Sequence, residues 1–285
     1  MAIKYLTCDK VSIDDILKVL KEGFKNHAIS IEFTNESFEQ IVRTNDVKLD
    51  LSLMAFADEK PIGCWLTGIR DINGIRYGYC AALTIIPSYR GKKFAYNLSK
   101  RALELQKEAG VKITKLYVLK DNTPAYNLYK KLGYRDVRLR YSLYLKLSEL
   151  EYASQKLNIT DKAITVNDFE LCMKDQEIPW SLGNYKRYLN AYRALIGKNE
   201  NETVGFIGFY PQDELFIAYL GMSYGWRTPS VASTLIRAAA KYVNATPDTK
   251  ILFFEIDGKS YLYGILKEFG KIKKKYVKVE MELEL

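Results

Sequence analysis

Histidine is almost missing from this chain: His27 is the only one in 285 residues. A metal centre built on several histidines is therefore excluded. A Ser–His or Cys–His nucleophile would have to use a residue lying in a polar stretch after a helical pattern. Cysteine is scarce too. Cys8, Cys64, Cys80 and Cys172 are scattered, and no two stand at zinc-ligand or redox spacing. Buried thiols in a reducing cytoplasm are the reading that follows. No apolar run approaches the ~20 residues of a membrane helix. The opening MAIKYLTCDK has neither a long apolar core nor a cleavage-like site, so no secretory signal is expected. Glycine and proline are modest, at 17 and 7 residues, and apolar residues make up 48%. The chain is thus expected to fold, with two ordinary domains as the prior from its length.

Basic charge is abundant but uneven. Residues 1–147 hold 25 Lys and Arg against 16 Asp and Glu, whereas residues 148–285 hold 18 of each. A basic first half suits nucleic acid or another anionic ligand. No helix-turn-helix, RNA-stacking or zinc-finger signature supports the first, and nucleic-acid binding ranks last.

The stretch from Tyr77 to Arg101 organises the first half. An apolar run from Cys80 to Ile86 reads as a buried strand, Pro87 turns the chain, and Phe94, Leu98, Ala102 and Leu105 recur at helical spacing. The helix is expected to start at about Gly91, among Arg90, Lys92 and Lys93. Three cations there oppose the helix dipole, at a cost of ~0.3–1 kcal/mol each when nothing offsets them. Asp, Glu or Ser would stabilise that end. A local rule broken in this way marks function, and a bound anion held by free backbone N–H groups is the natural offset. A basic, solvated helix entrance would read the same from this stretch alone.

Around it the pattern is regular. Ile3 to Cys8 reads as a strand, and Ser12 with Asp15 opens a helix whose stripe reaches Phe24. A loop over 28–34 and a second helix from Asn35 follow. Leu51–Ala57 and Ile62–Ile69 form a hairpin, and Asn73-Gly74 predicts a type I′ bend into the strand ending at Ile86. Gly110 closes the organising helix, and Ile113–Leu119 is β-rich. In the next helix Thr123 can cap, Pro124 fits the first turn, and Gly133 closes.

Two motifs now stand together. Arg90-Gly91-Lys92-Lys93-Phe94-Ala95 is similar to the pyrophosphate-binding segment of the GCN5-related N-acetyltransferases (GNAT), with Lys93 where that family has its middle glycine. Asn122, Ala125, Leu128, Tyr129, Leu132, Gly133 and Tyr134 resemble that family's second signature. The resemblance covers nearly all of residues 3–145. It implies acetyl-CoA as cosubstrate, with no metal, held at Arg90, Gly91, Lys92, Lys93, Phe94 and Ala95, by the backbone of Leu83 and Ile85, and by Asn122. It also makes Tyr129 the candidate general acid, because a phenol is protonated at neutral pH and can serve a leaving thiolate. Packing of a helix on a sheet is the competing role for Tyr129. Glu32, Glu36, Glu39 and Asp71 lie in segments that could border the acceptor, but nothing ranks them as a base.

The second half is a faint copy of the first. At one offset Arg90 meets Arg227, Ala95 meets Ala232, Leu98 meets Leu235 and Gly133 meets Gly270; before a shorter turn over 211–215, Ile62-Gly63 meets Val204-Gly205. Asn122 becomes Lys259, Tyr129 becomes Leu266, and Pro229 removes a backbone donor from the second loop. The expected architecture is α/β (α+β): two tandem GNAT-like domains, each a mixed, mostly antiparallel sheet flanked by helices. A catalytic domain would span 1–148, a linker 149–162, and a degenerate copy 163–285. The function this implies is N-acetyl transfer from acetyl-CoA to a small-molecule or peptide amine, in the cytoplasm. No membrane partner is expected, and a homodimer is left open. The alternative is a non-catalytic acyl-CoA-binding or regulatory module.

Overall fold

The structure, a computed structural model, describes residues 2–29, 32–183, 192–211 and 214–285. Residues 30 and 31 of the expected loop, and 212 and 213 of the expected second turn, lie outside the described residues. By compactness the chain forms two units: residues 1–137 with 280–285, and residues 138–279.

Unit 1 is built on strands β1 (Ile3–Thr7), β2 (Leu53–Ala57), β3 (Lys60–Ile72), β4 (Ile75–Ile85) and β5 (Ile113–Leu119), adjacent in that order. Pairing is antiparallel up to β4 and parallel between β4 and β5. Asn73 and Gly74 both adopt positive φ (52° and 78°), which gives the β3–β4 hairpin the twist its strands need.

Helices cover both faces. α1 (Ile13–Phe24) starts at Ser12, whose hydroxyl accepts from the Asp15 N–H, and buries Ile16, Leu17, Val19 and Leu20. α2 (Asn35–Thr44) opens with a Thr34–Ser37 capping box. Gly23 lets α1 press on Thr84, since a Cβ there would lie 2.1 Å from the threonine hydroxyl. α3 (Phe94–Glu108) buries Phe94, Leu98, Ala102 and Leu103 on the opposite face, where Gly63 sits between Ile85 and Leu98. It begins three residues later than the spacing suggested, because Gly91 and Lys93 hold left-handed turns (φ 76° and 63°) that no helix can contain. α4 (Thr123–Lys131) is capped by Asn122 rather than Thr123.

Unit 2 repeats this plan. Strands β7 (Asn158–Asp161), β8 (Arg193–Asn199), β9 (Glu202–Pro211), β10 (Leu215–Met222), β11 (Lys250–Asp257) and β6 (Arg135–Lys146) are adjacent in that order. Again β10 and β11 are parallel and their neighbours antiparallel. α5 (Val166–Met173), α6 (Pro229–Tyr242) and α7 (Tyr261–Glu268) stand where α1, α3 and α4 stand in unit 1. The architecture is the mixed, mostly antiparallel sheet flanked by helices that the sequence implied.

The two units are not consecutive segments. β6 belongs to unit 2 from Arg138 onward, and the C-terminal end of β12 (Lys273–Glu284) belongs to unit 1. The expected boundaries at 148 and 163 follow the motifs, whereas the contacts regroup the last strand of each half.

Candidate functional site

The site in unit 1 is a gap between two strands. β4 and β5 are paired only at Tyr77–Ile113, Gly78–Thr114 and Tyr79–Lys115, and then part. A bulge contributes: Thr67 faces Cys80 while Leu66 faces Ala82, which leaves Ala81 as an extra residue on β4. Beyond it, β4 pairs with β3 alone, and its backbone edge at Leu83 and Ile85 faces the gap, with the Ile85 carbonyl taken by Arg90.

The chain then makes a short 3-10 turn, Pro87–Tyr89, and reaches the start of α3. Arg90 donates from Nε to the Ile85 carbonyl at 2.9 Å and from Nη2 to the Gly23 carbonyl at 2.6 Å. Its guanidinium therefore clasps the end of α1 to the end of β4 and fixes the loop that follows. Gly91, Lys92 and Lys93 are exposed. Lys93 occupies the glycine position of the motif and takes the glycine's left-handed conformation, at a cost of ~1–2 kcal/mol for a residue with a Cβ. It is the N-cap of α3 but provides no side-chain cap. Among the described residues, the N–H groups of 91–96 meet no acceptor. A strained loop ending in a row of unsatisfied donors, with lysines beside it, is suited to an oligophosphate. Phe94 is buried against the core and near the Tyr89 ring, so only its backbone can face such a ligand.

At the far side of the gap stands α4. Asn122 uses its side-chain oxygen to accept from the Ala125 N–H at 3.3 Å. Tyr129 is 7% exposed, with its ring 5.8 Å from that of Tyr134. Burial holds its phenol well above the usual tyrosine range, and a hydrogen bond to the Cys80 thiol acts in the same direction. The phenol is thus neutral throughout the physiological range and directed toward β4 beside the bulge. Burial likewise keeps Cys80 a neutral thiol. The family resemblance grouped Arg90–Ala95, Asn122 and Tyr129; the Tyr129–Cys80 contact and the Arg90 clasp left no signal in the sequence.

Residues 14–134 match the family model described as acetyltransferase (GNAT) family. They form a GNAT domain. N-alpha-acetyltransferase MAK3 of Arabidopsis thaliana is 32% identical over 95 residues, covering 33% of this chain and 50% of that protein. N-alpha-acetyltransferase 30 of Schizosaccharomyces pombe is 34% identical over 68 residues, 24% and 45% of the two chains. The chain thus spans half or less of the curated relatives it matches. The whole fold is similar to a tandem GNAT protein from the clavulanic acid biosynthesis pathway, with TM-score 0.71, 11% identity, and coverage of 99% and 98%. It is also similar to a GCN5-related N-acetyltransferase from Sphaerobacter thermophilus, with TM-score 0.67, 12% identity, and coverage of 99% and 95%.

Unit 2 keeps the GNAT outline and fills its gap. β10 and β11 also part after three pairs, at Ile217–Phe253. Arg227 repeats the clasp, donating to the Met222 and Lys174 carbonyls. There, however, the guanidinium lies 4.1 Å from the centre of the Tyr261 ring and is paired with Asp175. The Tyr261 hydroxyl accepts from the Met222 N–H at 3.0 Å and from Gln176 at 2.8 Å. Thr228 caps α6 with its own side chain, and Pro229 carries no N–H. A cavity of about 30 Å³ lies between the strands, lined by Ala218, Leu220, Phe254 and Ile256. Among the described residues, no cluster of His, Cys, Asp and Glu could hold a metal, and no helix is long and apolar enough to cross a membrane.

Proposed function

We propose that the protein is an acetyl-CoA-dependent N-acetyltransferase whose chemistry resides in unit 1, acting on a small-molecule or peptide amine in the cytoplasm. The observation that carries this reading is the row of unsatisfied N–H groups at the start of α3, opening onto parted strands with a buried, neutral phenol beside them. When bound, acetyl-CoA supplies the acyl carbon and the thiolate leaving group. The 91–96 backbone with Lys92 and Lys93 would hold its pyrophosphate, and the β4 edge at Leu83 and the Ile85 N–H its pantetheine arm, near Asn122. Backbone donors of this kind are typically worth ~2.7–4 kcal/mol each when directed at a developing oxyanion. Tyr129 holds a proton at its hydroxyl for the departing sulfur. It regains one from the amine nitrogen as that nitrogen becomes an amide.

Acetyl-CoA should raise the melting temperature of the wild type. Lys93→Asp, which places an anion at the donor row, should abolish that rise, whereas Arg227→Gln should leave it intact even if the apo protein melts earlier. Tyr129→Phe should keep the rise and lower thiol release with an amine acceptor by about 10²–10⁴-fold. A normal rise with unchanged turnover in Tyr129→Phe would remove the acid role. A rise without turnover for any amine would favour the acyl-CoA-binding module, which the prior engagement of Tyr129 by Cys80 also suits.

A further inference from the structure

Unit 2 places a buried carboxylate where one of its strands breaks step. Opposite β6, Phe253 faces Leu143 and Ile256 faces Tyr141, so Phe254 and Glu255 together stand across from Ser142. This bulge carries Glu255 into the left-handed region, at φ 51°. A residue with a Cβ resists that conformation, and in mid-strand it persists only with support. Two side chains of β6 give it. Ser142 Oγ accepts from the Glu255 N–H at 3.4 Å, and Arg140 donates to the Glu255 carbonyl at 3.3 Å. The Glu255 side chain is 3% exposed. Lys278 Nζ lies 2.5 Å from one carboxylate oxygen, and the other oxygen meets no donor.

A cavity lies beside this residue. The Lys278 ammonium reaches both the Phe254 ring and the Glu255 carboxylate, so those two side chains share one face of the sheet. The cavity between β10 and β11, of about 30 Å³, is lined by Glu255 with Glu177 and Asp257, and otherwise mainly by apolar residues such as Ile178, Leu182 and Leu220. Among the described residues, no lysine or arginine lines it. The cations that answer its carboxylates are not part of its wall: Arg138 lies 2.7 Å from Asp257 and 3.7 Å from Glu177, and Lys278 holds Glu255. One water needs ~10–15 Å³ on this measure, so the cavity admits about two or three water-sized groups. The fold does not require this carboxylate. At the offset that aligns Arg90 with Arg227, Glu255 falls on Val118, a buried apolar residue of unit 1. A buried carboxylate, a left-handed backbone and an unanswered oxygen all cost stability, and their meeting in one residue marks a site.

We propose that this cavity is a ligand site of unit 2 and takes a guanidinium group, with Glu255 as its principal partner and Asp257 and Glu177 beside it. The unanswered oxygen calls for an N–H donor, and a wall with three carboxylates and no cation selects a positive one. Guanidinium suits it better than ammonium because the rest of the wall is apolar. Its charge is delocalised and weakly hydrated, so it loses less on leaving water. Its flat fork also donates in more than one direction at once. Acyl transfer is not part of this role, since Thr228 caps α6 and Pro229 lacks an N–H. The site is one for a small effector, and it does not depend on the acetyltransferase reading of unit 1.

Isothermal titration of the full chain tests it. Methylguanidinium chloride, below denaturing concentrations, should bind saturably. Methylurea, close in shape and uncharged, should not bind, and methylammonium should bind about tenfold or more weakly. Equal affinity for either would overturn the guanidinium assignment. Tetramethylammonium chloride and sodium chloride at equal ionic strength set the background, and a methylguanidinium signal no greater than theirs would overturn the site itself. Glu255→Gln should weaken binding about tenfold or more, the loss expected for a charged hydrogen bond. Ala218→Leu leaves every carboxylate in place and fills the cavity, so it should abolish binding. Unchanged affinity in either folded variant would also overturn the site. Should one variant fail to fold, the other and the wild-type series still decide.

Discussion

At the scale of single residues, one side chain can serve more than one master. Arg90 was expected to face the cofactor, and its guanidinium is held by two backbone carbonyls instead. The same clasp in unit 2, where the donor row is capped, shows that the arginine's first duty is to lock a helix end to a strand end. Its charge still lies beside the loop. Tyr129 likewise packs against Tyr134 and, in the function proposed, also presents a proton. Because burial raises the Tyr129 and Tyr134 phenols in the folded state, the unfolded chain ionises first as pH rises. Their contribution is therefore fully present below about pH 10 and is lost as pH climbs from there toward the folded-state values. Urea unfolding between pH 8 and 11 should show a steep alkaline loss, shallower in Tyr129→Phe and in Tyr134→Phe. Equal slopes in all three proteins would contradict the burial of these hydroxyls.

Elements show which parts of the site were legible in advance. The strand–turn–helix around Pro87 was readable because apolar runs, a proline and helical spacing are local signals. The start of α3 was misplaced by three residues because the left-handed turn at Lys93 has no sequence signature; lysine there looks like any helix former. The cap of α4 was misassigned between two neighbours that can both cap, Asn122 and Thr123. Parting of β4 from β5 left no local signal, since pairing between distant strands leaves no periodicity. The strain at Lys93 gives a test. Lys93→Gly should stabilise the apo protein by about 1 kcal/mol by relieving the left-handed conformation, after discounting glycine's added unfolded-state freedom. Denaturant midpoints at constant slope would measure it; a destabilised variant would mean that the lysine stem makes a compensating contact.

For the molecule as a whole, the regrouping of last strands has a consequence for function. Glu280, Glu282 and Glu284 pair with Lys115 and Arg135, all within unit 1. Removing residues 280–285 should therefore weaken acetyl-CoA stabilisation and amine turnover in unit 1, although the deleted segment lies about 150 residues beyond Tyr129 in the chain. Thermal melts of the truncated chain with and without acetyl-CoA would show it; an unchanged shift would mean that the strand only decorates the unit. By itself the sequence determined the class of fold, the repeat, the donor-rich loop and the position of Tyr129, because each rests on neighbours close along the chain. Tertiary structure alone decided that the second gap is filled by Tyr261 and Arg227, that Cys80 meets Tyr129, and that the end of the last strand belongs to the first unit. Those facts depend on which surfaces meet across long loops, and similar halves offer similar surfaces, so no local pattern distinguishes one pairing from the other.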